Sequence, residues 1–251
     1  MLRVDKMSVI INQKYIIKDV AFDMSENELL MITGPNGAGK TTLIRAIMHN
    51  IKHSGAAHLN DVNIAEISSV NLAKLVGVLT QKHNPQFSFS VREVVALGRY
   101  AHKKGIFGKM SDEDNEKIEN ALMLTGIYNF RDRSVLNLSG GELQRVFLAQ
   151  VFAQDPKILI LDEPTNHLDL QYQISIFDTI KEWVKGEGRS VIAVVHDLNI
   201  VYTYGTKALL MNEGRIYSYG DVEDVLKREN LKKVYEVDVA QWMQNLLKHW
   251  Q

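Results

Sequence analysis

The chain contains no cysteine, which excludes disulfide bridges, thiolate metal sites and a cysteine nucleophile. It also has almost no net charge: 29 Lys and Arg against 30 Asp and Glu leave −1 at pH 7. So even a balance supplies no global electrostatic pull toward nucleic acid, and no nucleic-acid partner is expected. No apolar run reaches the roughly 18 residues that a membrane-spanning helix needs. The opening stretch MLRVDKMSVIINQK lacks a long apolar core and does not read as a secretory signal. Low-complexity segments and obvious repeats are missing too. What remains is a chain of 251 residues, 45% hydrophobic and 24% charged. Those are ordinary globular values, and the length suffices for one large domain with a substantial core. The simplest expectation is a cytosolic protein.

Four short aliphatic runs organise the sequence: Leu29–Thr33 (LLMIT), Leu75–Thr80 (LVGVLT), Ile158–Leu161 (ILIL) and Val191–Val195 (VIAVV). They do not alternate polar with apolar, so they suit strands buried on both faces, as in a parallel sheet. Each is followed by polar groups. Leu29–Thr33 runs into Gly34-Pro35-Asn36-Gly37, the next run into Gln81, the third into Asp162-Glu163 and the last into His196-Asp197. Open α/β sheets bind ligands beyond the carboxyl ends of their strands, so four polar deliveries at such ends imply one shared site.

Between Gln81 and Leu138 the character changes. Val91–Tyr100 and Asp112–Thr125 read as helices, the second with Ser111 as N-cap and acidic residues in its first turn. The basic cluster His102, Lys103, Lys104 and Lys109 reads as a solvated loop. Residues from about 85 to 153 read as a helical lobe set into a core formed by 1–84 and 154–251.

Gly34-Pro35-Asn36-Gly37-Ala38-Gly39-Lys40-Thr41 fits the pattern GxxxxGK[ST] in full. Glycines let backbone N–H groups converge on a phosphate without Cβ clashes. The helix expected over Thr41–Met48 aims its N-terminus, with an end charge of roughly +0.5, at the same anion. In this pattern Lys40 reaches the β- and γ-phosphates and the Thr41 hydroxyl ligates Mg²⁺. Asp162, at a strand end, can hold Mg²⁺ directly or through water. Glu163, one residue on, can act as general base on an attacking water. Leu138-Ser139-Gly140-Gly141-Glu142-Leu143-Gln144-Arg145 is a second Gly-rich helix start, with Glu142–Ala153 at helical spacing. Two phosphate-type sites in one chain invite a composite arrangement across a dimer.

LSGGELQR resembles the signature sequence of the ATP-binding cassette family and stands in that family's order, between the phosphate loop and the Asp-Glu strand. The resemblance implies an α/β fold: a nucleotide-binding core with a mostly parallel sheet, an antiparallel β region on its N-terminal side and an inserted helical subdomain. It implies ATP and Mg²⁺ as ligands and a head-to-tail homodimer. In that dimer Ser139, Gly140 and Gly141 of one copy would clamp the γ-phosphate held by Lys40 of the other. Gln81 resembles the glutamine that touches Mg²⁺ and water and reports to a permease. Asp169, in TNHLDL, resembles the loop that crosses the dimer interface. His196 resembles the histidine that contacts the γ-phosphate, although a histidine at a strand end is by itself most often structural. Thr42 would touch the phosphates through its hydroxyl.

Two positions depart from the family pattern. Ile11 stands where an aromatic often stacks on adenine, with Tyr15 the nearest aromatic, so either Tyr15 or Ile11 meets the base. Asn27 stands where a turn glycine is common, and asparagine tolerates positive φ. The stretch Pro85–His102 and the segment Leu231–Val239 are similar to importers of iron complexes, haem and cobalamin. That implies permease partners, an external substrate-binding protein and a peripheral place on the inner face of the cell membrane. It also implies a partly apolar groove for a permease helix, with Phe89, Val91 and Leu97 as candidates. Soluble cassette ATPases of chromosomes carry long coiled coils between their motifs, and nothing of that kind separates Lys40 from Ser139.

Overall fold

The computed structural model describes residues 1–80, 87–103, 109–166, 168–186 and 188–248. In chain order the first elements are β1 Leu2–Ile11, β2 Lys14–Met24, β3 Leu29–Thr33, α1 Lys40–Ile47, β4 Ser54–Leu59, β5 Val62–Asn63, α2 Ser69–Leu75, β6 Val76–Leu79, α3 Val91–Ala96 and α4 Asp112–Leu124. There follow α5 Gly140–Ala153, β7 Ile158–Asp162, α6 Leu170–Val184, β8 Ser190–Val194, α7 Leu198–Tyr204, β9 Lys207–Asn212, β10 Arg215–Asp221, α8 Val222–Val225, α9 Arg228–Tyr235 and α10 Val239–Leu247. Two compact units form, Met1–Glu66 with Val194–Gln251, and Ile67–Ala193. Among the described residues no helix is long and apolar enough to cross a membrane.

The first unit contains an antiparallel sheet in the order β2-β1-β4-β5. Its hairpins turn on two residues, Asn12-Gln13 and Asn60-Asp61, and the β9–β10 hairpin turns on Glu213-Gly214. All six have positive φ. This is the left-handed turn whose twist matches that of the flanking strands, and asparagine, aspartate and glycine adopt it at least cost. Asn27 adopts φ 61 at the turn before β3, as its side chain permits. β3 pairs in parallel with β9, Thr33 opposite Leu210, and all five of its residues are buried. That explains its unbroken aliphatic run.

In the second unit β6 and β7 pair in parallel, Val76 opposite Ile158, with β8 beside β7. β7 and β8 are buried throughout. Helices α3, α4 and α5 pack on one another. The helix expected over Val91–Tyr100 changes at Leu97 into the tighter 3₁₀ form, which continues to His102. A Cβ on Gly98 would lie 2.1 Å from the Gln150 carbonyl oxygen. The backbone here presses directly on α5, and a glycine is needed for that approach.

That approach carries Arg99 into the interior. Its Nε donates to Asp114 Oδ1 at 2.8 Å and an Nη to the Ala153 carbonyl at 3.0 Å. Both side chains of the ion pair are under a tenth exposed. One guanidinium thereby ties the first turn of α4 to the last carbonyl of α5, where a cation is favoured. Burial pushes the Asp114 carboxyl up, but hydrogen bonds from the Ser111 backbone, Arg99 and the Ser111 hydroxyl outweigh it and bring it from 3.8 down to about 2. The native carboxylate is therefore stabilising above 3.8, and that contribution fades as pH falls toward about 2. Replacing Arg99 with Met leaves a buried carboxylate unpaired, and the expected loss is about 3 kcal/mol at neutral pH. Urea unfolding of both proteins measures it, and the gap should close as the acid is protonated.

Candidate functional site

In the first unit the phosphate loop leaves β3 at Gly34. Gly34 has φ 141, and a Cβ there would lie 2.2 Å from the Met211 carbonyl oxygen, so the root of the loop rests on the backbone of β9. The Gly214 N–H donates to the Ala38 carbonyl at 3.2 Å and the Lys18 N–H to the Gly214 carbonyl at 2.8 Å. The loop is thus sewn to β2 and to the β9–β10 turn. α1 begins at Lys40 behind Gly39, which has no side chain to cap the helix. α3, α4 and α5 each have a serine N-cap closed by an acidic residue in a reciprocal capping box. No side chain therefore caps the first turn of α1, and the start of a helix is where an anion binds.

The Lys40 side chain is buried. Its Nζ donates to the carbonyls of Gly34 at 2.8 Å and Pro35 at 2.9 Å. Two of the three ammonium protons are in this way directed back over the loop. Ala38 is buried, Gly39 and Pro35 are half-buried, and Asn36 and Gly37 are exposed. Thr41 is exposed and Thr42 half-buried in the first turn of α1.

His196 lies in the same unit. The Val195 N–H donates to the Ile32 carbonyl at 3.0 Å, so His196 emerges beside the end of β3 where the loop begins. Its side chain is exposed, just ahead of Asp197, which caps α7 by accepting from the Asn199 N–H. Tyr15 is 56% exposed and Ile11 47%. The Lys18 ammonium stands 5.1 Å from the centre of the Tyr15 ring, a cation–π contact. The Ile16 carbonyl next to Tyr15 packs against Gly39, so Tyr15 borders the end of the phosphate loop.

The second unit presents the other groups. Asp162 is buried at the end of β7. Glu163 takes φ 53, so the chain turns sharply out of the strand at this residue. Asn166 Nδ2 donates to Glu163 Oε2 at 2.7 Å, and Gln144 Nε2 to the Pro164 carbonyl at 2.8 Å. Neither Asn166 nor Gln144 stands out in the sequence, where each is an amide beside a motif.

Ser139 caps α5. Its hydroxyl accepts from the Glu142 N–H at 3.3 Å and donates to the Glu142 carboxylate at 2.8 Å. Hydrogen bonds from the Ser139 backbone and hydroxyl hold that carboxylate below its ordinary range. Ser139 and Gly140 are exposed, while Gly141 is buried against the Tyr172 ring. Asp169 is exposed at the N-cap of α6 and makes no side-chain cap bond. Gln81 lies outside the described residues. Of the groove candidates, Phe89 and Leu97 are exposed, whereas Val91 is wholly buried and serves the packing of α3.

The ABC transporter family model matches residues 17–166. The chain is 37% identical over 226 residues to an uncharacterized ABC transporter ATP-binding protein of Bacillus subtilis, covering 90% of this chain and 51% of that one. It is 32% identical over 238 residues to the iron(3+)-hydroxamate import ATP-binding protein of the same bacterium, covering 94% and 88%. Among solved structures, an ATP-binding cassette seen as a dimer in a post-hydrolysis state with ADP and Pi superposes with a TM-score of 0.75. It is 24% identical, over 88% of this chain and 99% of that one. The chain belongs to the ABC transporter family. Its fold and motifs are those of the family's ATP-binding cassette. It spans about half the length of the first of these relatives and most of the second.

Proposed function

We propose that the chain is the ATP-hydrolysing subunit of a membrane importer for iron complexes, haem or cobalamin, peripheral on the inner face of the cell membrane. The observation that carries the nucleotide chemistry is the uncapped start of α1 behind Gly39, with Lys40 folded over the loop. An incoming triphosphate replaces the Gly34 and Pro35 carbonyls as partners of the ammonium and takes the first-turn N–H groups. Tyr15 borders this loop and offers its face to adenine. Glu163 takes a proton from the attacking water, whose oxygen bonds to the γ-phosphorus as the bond from that phosphorus to the ADP oxygen breaks; ADP and phosphate are released, and His196 contacts the departing phosphate.

The oxygen donors Thr41 and Asp162 suit Mg²⁺, a hard cation. Bound there, Mg²⁺ would neutralise phosphate charge. The remaining groups, Ser139, Gly140, Gly141 and Asp169, are given to a second copy. Those at the start of α5 are exposed apart from Gly141, as residues facing another subunit must be. ATP binds the closed dimer better than the open one, and closure moves the permease. Gln81 reports to that permease, and an external binding protein delivers the cargo. The import reading is supported by the relative named for iron(3+)-hydroxamate import.

A tagged pull-down from gently solubilised native membranes, read by mass spectrometry, tests the role. Recovery of a multi-span permease with its binding protein supports import. Recovery of soluble partners alone overturns import and leaves the ATPase chemistry in place.

A further inference from the structure

Helix α9 bears no recognised nucleotide motif, yet its last residue touches the phosphate loop. The Tyr235 hydroxyl lies 3.2 Å from Thr33 Oγ1, beside the backbone of Gly34. Thr33 is the last residue of β3 and is fully buried. Gly34 is the first residue of the loop. Its carbonyl is held by the Lys40 ammonium at 2.8 Å, and the residue before it by the Tyr235 hydroxyl. Against β9, Gly34 has no room to shift, with the Met211 carbonyl already in the place of a Cβ.

We infer that Tyr235 is a positioning residue for the nucleotide: its hydroxyl orients the Thr33–Gly34 junction and, through the Gly34 carbonyl, the resting place of the Lys40 ammonium. The inference rests on the reading of Gly34–Thr41 as the phosphate site. A hydroxyl suits the task because it both donates and accepts. Burial pushes the Tyr235 phenol up from its ordinary value, so the group stays neutral throughout the working range of pH. The contact joins residues 202 positions apart, which makes the C-terminal segment part of the nucleotide site. Sequence similarity to importers had marked Leu231–Val239 without assigning any residue a task.

The alternative is a hydroxyl that merely stabilises the fold. The two are separated by nucleotide dissociation constants, steady-state ATPase rates and urea midpoints for Tyr235→Phe, Thr33→Val, the double variant and Thr33→Ser. Loss of one buried hydrogen bond sets the expected scale. Tyr235→Phe should weaken ATP binding and raise KM by roughly three- to tenfold, with kcat within about twofold of the wild type. The double variant should bind no worse than the weaker single one, because both remove the same link. Thr33→Ser keeps a hydroxyl and should bind as the wild type does.

Wild-type affinity in Tyr235→Phe, or effects of the two single variants that simply add, would overturn the inference. Should Tyr235→Phe not fold, the contrast between Thr33→Val and Thr33→Ser decides, and equal affinities there overturn it. Lys40→Ala, run alongside, separates the two readings. If it binds ATP normally, the phosphate-site reading fails; if it loses ATP while Tyr235→Phe does not, only the present inference fails.

Discussion

Glu163→Gln should reduce ATP turnover by roughly 10²–10⁴-fold, the usual worth of a positioned acid–base group, while leaving nucleotide affinity intact. The residue stands directly after a strand whose five positions are all buried. Its φ of 53 turns the chain away from that strand, so the carboxylate leaves the core at the end of β7. Asn166 Nδ2, 2.7 Å away, orients it. Glutamine has the same shape and can keep a hydrogen bond at this position, but its amide cannot take a proton from water. Binding and hydrolysis are thereby uncoupled. With Mg-ATP the variant should accumulate as a nucleotide-bound dimer, seen by light scattering as a doubled mass, and phosphate release should almost stop. A variant that stays monomeric under Mg-ATP would count against the composite site built from Ser139, Gly140 and Gly141. Normal turnover would remove Glu163 from the chemistry.

Lys40→Ala should weaken ATP binding by about a hundredfold, the scale of one or two charge-assisted hydrogen bonds. The ammonium is buried and already shaped to the loop, held between the Gly34 and Pro35 carbonyls. Moving from those acceptors to a triphosphate exchanges two neutral partners for anionic ones, which is where the binding free energy arises. The substitution also withdraws the donors that brace the Gly34 and Pro35 carbonyls, so some loss of stability accompanies the loss of affinity. Titration of a fluorescent nucleotide and urea unfolding report the two effects separately. Unchanged affinity would sink the assignment of this loop.

Much of the core was legible because its signals are local. The run LLMIT is a strand over the same five residues, Leu29–Thr33. ILIL extends by one residue to Asp162, and VIAVV shifts by one to Ser190–Val194. Such runs are readable because burial on both faces leaves no room for a polar side chain. The helices expected at Thr41–Met48, Asp112–Thr125 and Glu142–Ala153 appear as α1, α4 and α5 with ends moved by one or two residues. The basic cluster near His102 hid a different role. Arg99, a few residues earlier, is a cation that the fold buries, and His102 Nε2 donates to the Gln154 carbonyl at 3.0 Å. Val91 looked like a docking residue and proved to be core, since an apolar side chain in a helix carries no label for the surface it will meet.

The order of the motifs, the phosphate loop and its lysine, the acidic pair after β7 and the serine that opens α5 follow from residue types at short spacing. Backbone reach and helix capping act over a few residues, so the chain alone specifies them. Folding settled the rest: Tyr235 at the root of the loop, Asn166 on Glu163 and Arg99 between α4 and α5. Apart from Asn166, three residues after Glu163, these contacts link positions that periodicity cannot relate. They arise when packed strands and helices bring distant backbone groups together, and a buried polar group must then find its partner wherever the packing provides one.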